Sequence, residues 1–140
     1  MLTLKEARAV IDRGVAKAQA LGFKVAVAVV DDGGHLVACD RMDGALWITP
    51  EIARAKANAA AAFQATTETL ETRFASARAL FAGNVASLGD YKLVFGRGGV
   101  PLVAGDRIVG AVGVSGAVPP DNDHVIADAA AGHPVVPKSH

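Results

Sequence analysis

The sequence predicts an α/β (α+β) domain, a central antiparallel sheet with helices packed on it. Three observations predict it. Apolar residues recur at helical spacing in the first twenty residues, in the middle and near the end. Valine-rich runs of strand length stand between them, and short glycine- and aspartate-containing turns join neighbouring strands. No strand–helix–strand unit repeats, so a doubly wound parallel sheet is not indicated, and the helices are expected to gather on one side of the sheet.

Thr3-Leu4-Lys5-Glu6 matches a capping box. Leu4, Ala7, Ile11, Val15, Ala18 and Leu21 then follow at helical spacing, and Gly22 supplies the left-handed stop, which places the first helix over 4–21. Phe23 to Asp31 is β-branched and too short for a second helix. Asp32-Gly33-Gly34 turns the chain, and His35 to Arg41 reads as the returning strand, with His35, Val37, Cys39 and Arg41 on one face. Met42 to Ile48 is a loop. Thr49-Pro50-Glu51 opens an alanine-dominated helix to Gln64, and Thr66 or Thr67 opens another, continuing with a break to about Ala82. Tyr91, Leu93 and Phe95 alternate with Lys92 and Val94 as in a strand. Gly96-Arg97-Gly98-Gly99 interrupts, Pro101 to Ala104 resumes, and Gly105-Asp106 turns into a final strand, Arg107 to Ser115, whose glycines indicate a close approach. Asp121 or Asn122 caps a last helix that Gly132 and Pro134 end. A single domain over 1–134 and a loose tail over 135–140 are expected.

Composition narrows the function. The 140 residues carry 14 Lys plus Arg against 14 Asp plus Glu, a formal net charge of zero. That balance lacks the cationic surplus that nucleic acid or an anionic membrane demands. At 51% hydrophobic residues the chain can build a core. A single cysteine excludes an internal disulfide framework and a multi-cysteine zinc site. No apolar run reaches spanning length, and the charged first helix is no signal peptide, so a cytoplasmic domain is the expectation.

Two regions carry candidate chemistry. Gly96, Gly98 and Gly99 present backbone N–H groups beside Arg97, an arrangement that serves either as an anion nest or as a corner between strands. Around the first hairpin stand Asp31, Asp32, His35, Cys39, Arg41 and Asp43. His35 is a candidate iron ligand or proton-transfer group, against the plainer reading of a turn-edge residue. His35 and Cys39 lie about 13 Å apart along a strand and cannot share one metal. Cys39 reads as a small core residue. Arg41 beside Asp43 is either a carboxylate clamp or a surface ion pair. His124 and Asp128, four apart on the last helix, read as a solvated face, and Ser115 lacks a nucleophile elbow.

The ordered set Leu2-Thr3-Leu4, Val27-Ala28-Val29-Val30-Asp31, Gly33-Gly34-His35-Leu36-Val37 and Arg41-Met42-Asp43-Gly44-Ala45 is familiar. So are Lys56-Ala57, Gly98-Gly99-Val100-Pro101-Leu102 and the run Val109 to Gly116. Together they resemble the GlcG/HbpS family of haem-binding or "haem-degrading" small domains, also found at the C-terminus of PduO-type proteins. The resemblance implies a profilin-like or PAS-like sheet, homo-oligomers including octamers, and binding of haem or a related tetrapyrrole. The chain departs from the family after Gly116. Ala117-Val118-Pro119-Pro120 replaces a further glycine, the glutamine of a Gln-Asp pair is absent, and Asp123 keeps the acidic place. Trp47 and Ile48 stand where smaller residues are common.

The leading expectation is therefore a homo-oligomeric binding protein for haem or another flat acidic cofactor. Its ligand-binding candidates are His35, Arg41, Asp43, Phe95, Arg97, Gly98, Gly99 and Ser115, with His35 as the metal ligand. The alternative is an enzyme acting on a small carboxylated metabolite, with His35 moving the proton and Arg41 and Arg97 clamping the substrate. A module that binds only protein is the third reading.

Overall fold

The computed structural model describes residues 1–132, apart from the side chain of Ser76. The expected tail from Val135 to His140, together with His133 and Pro134, lies outside the described residues. The elements are α1 (Leu4–Leu21), β1 (Ala26–Asp31), β2 (Leu36–Arg41), α2 (Thr49–Phe63), α3 (Thr67–Ser76), α4 (Ala79–Ala86), β3 (Gly99–Ala104), β4 (Arg107–Ser115) and α5 (Asp121–Ala131). The four strands form one antiparallel sheet in the order β2-β1-β4-β3. The fold class predicted from the sequence is the one observed.

Helices cover both faces of this sheet, which corrects the expectation that they gather on one side. Val25, Val27 and Val29 share a core with Val112 and Val114, with Ile11 of α1 and with Ile126 of α5. The intervening residues point the other way: Ala26 and Ala28 meet Ala53 of α2, while Val30 and Ala111 meet Ala57, Ala60 and Ala61. Both strand faces are therefore apolar, and alternation of apolar with polar, the sign of a one-sided sheet, is missing.

Small residues bring α2 unusually near. A Cβ on Gly113 would overlap the carbonyl oxygen of Ala53, and one on Gly99 would overlap that of Lys56. The close approach read from the glycines of β4 is thus made by the protein's own helix, and the alanines of α2 are what let its backbone settle there.

Local signals hold well at α1. Thr3 and Glu6 form the reciprocal capping box, and Gly22 ends the helix at φ 83°. Elsewhere the caps move. Thr49 lies inside α2, donating its hydroxyl to the Leu46 carbonyl at 2.7 Å, with Ile48 at the cap position. Pro120, not Asp121 or Asn122, occupies the cap position of α5. Thr66 caps α3 by accepting from the Thr69 amide, and the expected break separates α3 from α4 at Ala77 and Arg78.

Two strand expectations are corrected. Tyr91 to Phe95 pairs with no strand. It is an extended segment whose Val94 amide donates to the Ala55 carbonyl of α2, and Leu93 and Phe95 pack on the Leu70–Phe74 cluster. Its alternation comes from lying across helices. His35 precedes β2, its carbonyl closing the turn by accepting from the Asp31 amide at 2.9 Å. A register shift between Val29 and Val30 displaces Val37 toward the valine core. Cys39 and Arg41 keep the α2 face, opposite Ala28 and Ala26. On the outer strand β3, Pro101 sits opposite Ala111, and the ladder shifts register again between Leu102 and Val103.

Candidate functional site

The hairpin turn, the outer face of α2 and the segment after α4 enclose two adjoining hollows. One, of about 310 Å³, is lined by Asp32, Ala62, Phe63, Val85, Leu88 and Leu93, and is largely apolar. The other, of about 400 Å³, adds His35, Arg54, Asp90 and Lys92. Gly33, Gly34, Asn58 and Tyr91 border both, so the two form one cleft with an apolar end and a charged end. Its size falls within the range of small-molecule sites.

His35 stands at the charged end. Its Nδ1 lies 3.2 Å from Asp31 Oδ1, and that oxygen also accepts from the Gly33 and His35 amides at 2.9 Å each. Burial pulls the Asp31 carboxyl upward, but the amides of His35 and Gly33 and the neighbouring imidazole outweigh it and hold the carboxyl below its ordinary value. An ionised Asp31 can only accept, so the contact is made by an Nδ1–H donor, which leaves Nε2, on a side chain that is 81% exposed, facing away from the turn. The sequence put His35 on the returning strand, whereas β2 begins one residue later; its contact with Asp31 needed the turn geometry.

The other candidates lie apart from His35. Arg41 and Asp43 line a polar hollow of about 500 Å³ with Lys24, Gln19 and Asp40 at the opposite end of β2, about 20 Å away at the usual strand rise. Arg97 is held by three carboxylates: Asp121 at 2.9 Å, Glu71 at 3.5 Å and Glu68 at 3.6 Å. His124 joins this cluster through Glu68 at 3.5 Å, so it is not on a plain solvated face. Gly98 and Gly99 are buried, the Gly98 carbonyl accepting from Val114 N and the Gly99 amide donating to Thr67 Oγ1 at 2.7 Å. Phe95 packs edge-on against Phe63 and Phe74, with ring centroids 5.7 and 5.1 Å away. Phe63 also lines the apolar end of the cleft, so Phe95 supports that wall from behind. Ser115 is buried at the end of β4, opposite Ala26. Among the described residues no three of His, Cys, Asp and Glu are grouped to hold a metal ion.

The sequence did not reveal the roles of Arg54, Asn58, Tyr91 and Lys92. The i, i+4 spacing of Arg54 and Asn58 on an otherwise alanine-rich helix is the signal that marks them. Asn58 Nδ2 donates to the Lys92 carbonyl at 3.1 Å. Asn58 Oδ1 and Arg54 Nε are sealed from solvent without a partner. Such orphaned polar atoms are rare in folded proteins; these two belong to the cleft wall, and a third, His124 Nδ1, lies beside the Arg97 cluster.

These features define a small α+β domain with a cleft beside its first hairpin turn. The chain belongs to the HbpS-like family: the model for "Haem degrading protein HbpS-like" matches residues 2–132. It is 38% identical over 117 residues to Protein GlcG of Escherichia coli strain K12, covering 82% of this chain and 81% of that protein. Among solved structures it resembles a double mutant of Streptomyces reticuli HbpS, with TM-score 0.83, 32% identity and coverage of 99% of this chain and 88% of that one. It also resembles a PduOC–haem complex, with TM-score 0.82, 27% identity, and coverage of 93% and 92%. No helix among the described residues is long and apolar enough to cross a membrane.

Proposed function

We propose that this protein binds haem or a related acidic tetrapyrrole in the cleft beside the hairpin turn. The observation that carries the reading is His35, oriented by Asp31 at the mouth of an apolar hollow. The residues fit the group: an imidazole nitrogen for iron, Phe63, Leu88 and Leu93 against a flat ring, and Arg54 and Lys92 for ring carboxylates. Bound iron would supply a redox-active, ligand-accepting centre. The chain's own part is to fix the imidazole tautomer, exclude water with the apolar wall, and neutralise carboxylates. That a structural relative is a haem complex supports the same reading.

Arg41 and Arg97 serve this reading less well than the sequence suggested. They border separate hollows, and Arg97 is already surrounded by carboxylates, so they make no clamp around His35 within one chain. The carboxylated-metabolite enzyme is accordingly not favoured.

Assembly into homo-oligomers, with the octamer as the form the resemblance implies, is part of the proposal. Leu46 and Trp47 are 71 and 77% exposed, apolar surface suited to contact between copies. A cytoplasmic setting completes it.

Haemin titration into the purified protein, followed at the Soret band with albumin as the non-specific control, tests the binding. A saturable shift at fixed stoichiometry that His35→Ala abolishes is the expected result. A shift that survives His35→Ala moves the iron ligand elsewhere, and a non-saturating response overturns the tetrapyrrole reading. Light scattering at micromolar concentration reads the assembly; a monomer overturns that part.

A further inference from the structure

The cleft wall from α4 to Lys92 is tied to the body far more loosely than the rest of the fold. α4 has no buried residue, and beyond it Leu88 and Tyr91 lie 58 and 70% exposed. Gly83 has no neighbour within 4 Å of where a Cβ would stand, and Gly89 takes φ 49°, so both give the backbone freedom to bend. The Phe74–Phe81 ring contact, with centroids 5.8 Å apart, anchors the start of the segment on α3. The Val94–Ala55 hydrogen bond anchors the chain just past its end. Between these anchors, among the described residues, one hydrogen bond ties the segment to another element: Asn58 Nδ2 to the Lys92 carbonyl.

That bond also fixes which way the Asn58 amide faces, since the flipped amide would set oxygen against oxygen. Its Oδ1 then points where no donor reaches it, and Arg54 Nε, one turn earlier on α2, lacks an acceptor. Both atoms have given up water without compensation, which burdens the closed arrangement. Asn58 Oδ1 faces the hairpin at Gly34, and lifting the wall off α2 would free the amide to turn and take water, which offsets the loss of the Asn58–Lys92 bond.

We propose that residues 79–92 form a hinged strap over the cleft and that Asn58 is its latch. The strap admits a ligand to the apolar end when the latch breaks. The gating half rests on the cleft being the binding site proposed above; the latch itself does not. Its inner side, with Val85 and Leu88, is then both wall and door.

Amide hydrogen exchange on the whole protein, read by mass spectrometry with and without haemin, tests this. Asn58→Leu keeps the branching and the number of side-chain heavy atoms and cannot donate. It is expected to speed exchange across 84–92 about fivefold, with α1 and β4 unchanged, and to raise the haemin association rate by a similar factor. Asn58→Ser, too short to reach Lys92, should do the same and serves if the leucine variant folds poorly. Unchanged exchange across 84–92, or an equal rise in α1 and β4, overturns the latch. Loosening with no change in haemin association overturns the gate. Failure of haemin to bind at all removes the tetrapyrrole reading and the gate with it, while exchange alone still decides the latch.

Discussion

Lys56 Nζ lies 3.0 Å from Asp123 Oδ2, with 7 and 5% of their side-chain surfaces exposed, and so joins α2 on one face of the sheet to α5 on the other. The ammonium also donates to the Val114 carbonyl at 2.9 Å, and Asp123 Oδ1 accepts from the Ala117 amide at 2.9 Å. Gly98 makes room for the pair: a Cβ there would stand 3.0 Å from Asp123 Cβ and 3.1 Å from Lys56 Cδ.

Removing one member of a buried pair leaves the other uncompensated, so Lys56→Met is expected to cost about 3–5 kcal/mol at neutral pH. Burial already pushes the Asp123 carboxyl above its ordinary value, against the lowering pull of Lys56 and of the Ala117 and Gly116 amides. A raised folded value means that this group's contribution is fully present below pH 3.8 and is lost as pH rises through the folded value. Without Lys56 the carboxyl rises further, so the deficit of Lys56→Met should shrink on acidification. Urea denaturation of both proteins between pH 4 and 7 checks this, and a pH-independent deficit would contradict it.

Gly113→Ala should be among the most damaging single substitutions. Its Cβ would overlap the Ala53 carbonyl oxygen and stand 2.8 Å from the Ala57 amide nitrogen, both rigid helix backbone. Overpacking of this kind costs about 1–3 kcal/mol and sometimes more. A midpoint in urea unchanged from wild type would show that α2 can move away from β4 cheaply.

Asp31→Asn should weaken haemin binding about tenfold, the usual effect of losing a residue that orients a metal-binding histidine. The carboxyl is held low in the fold, so its contribution to stability is present above its ordinary value of 3.8 and lost as pH falls through the lowered one. Affinity measured by Soret titration and stability measured near pH 3 separate the orienting role from the turn-closing one. Equal haemin affinity in the two proteins would remove Asp31 from the site.

Cys39 should react slowly. Burial raises its thiol, with Asp40 and Glu51 adding to the rise, so little thiolate forms at neutral pH. Alkylation is expected to run at least tenfold faster in denaturant than in the folded protein. Equal rates would mean that β2 opens readily.

What the sequence made legible was local. Thr3, Glu6 and Gly22 bound α1 by chemistry acting within a few residues, and the glycine-and-aspartate hairpin turn was equally plain. The two-sided sheet was not, because Ala26 and Ala28 look like weak strand residues until Ala53 is placed against them. The strand-like alternation of Tyr91, Leu93 and Phe95 misled for a related reason, since helices can cover one side of an extended segment as a sheet does. Of the candidate residues, His35 was read as the first residue of a strand and stands in the turn before it, and the charges of Arg41 and Arg97 gave no information on how far apart they lie. The Lys56–Asp123 pair spans 67 positions in sequence, and neither residue carries a local sign of the other.

Pro101 bears on how copies of this chain can meet. It lies on the outer strand and has no N–H to offer a newcomer, and the register shift just after it spoils the ladder further. The other border, β2, ends in the charged residues Asp40 and Arg41. Neither rim of the sheet is a template for continued strand addition. Copies that meet would do so through helices and loops, so high concentration should yield no fibres built by strand addition.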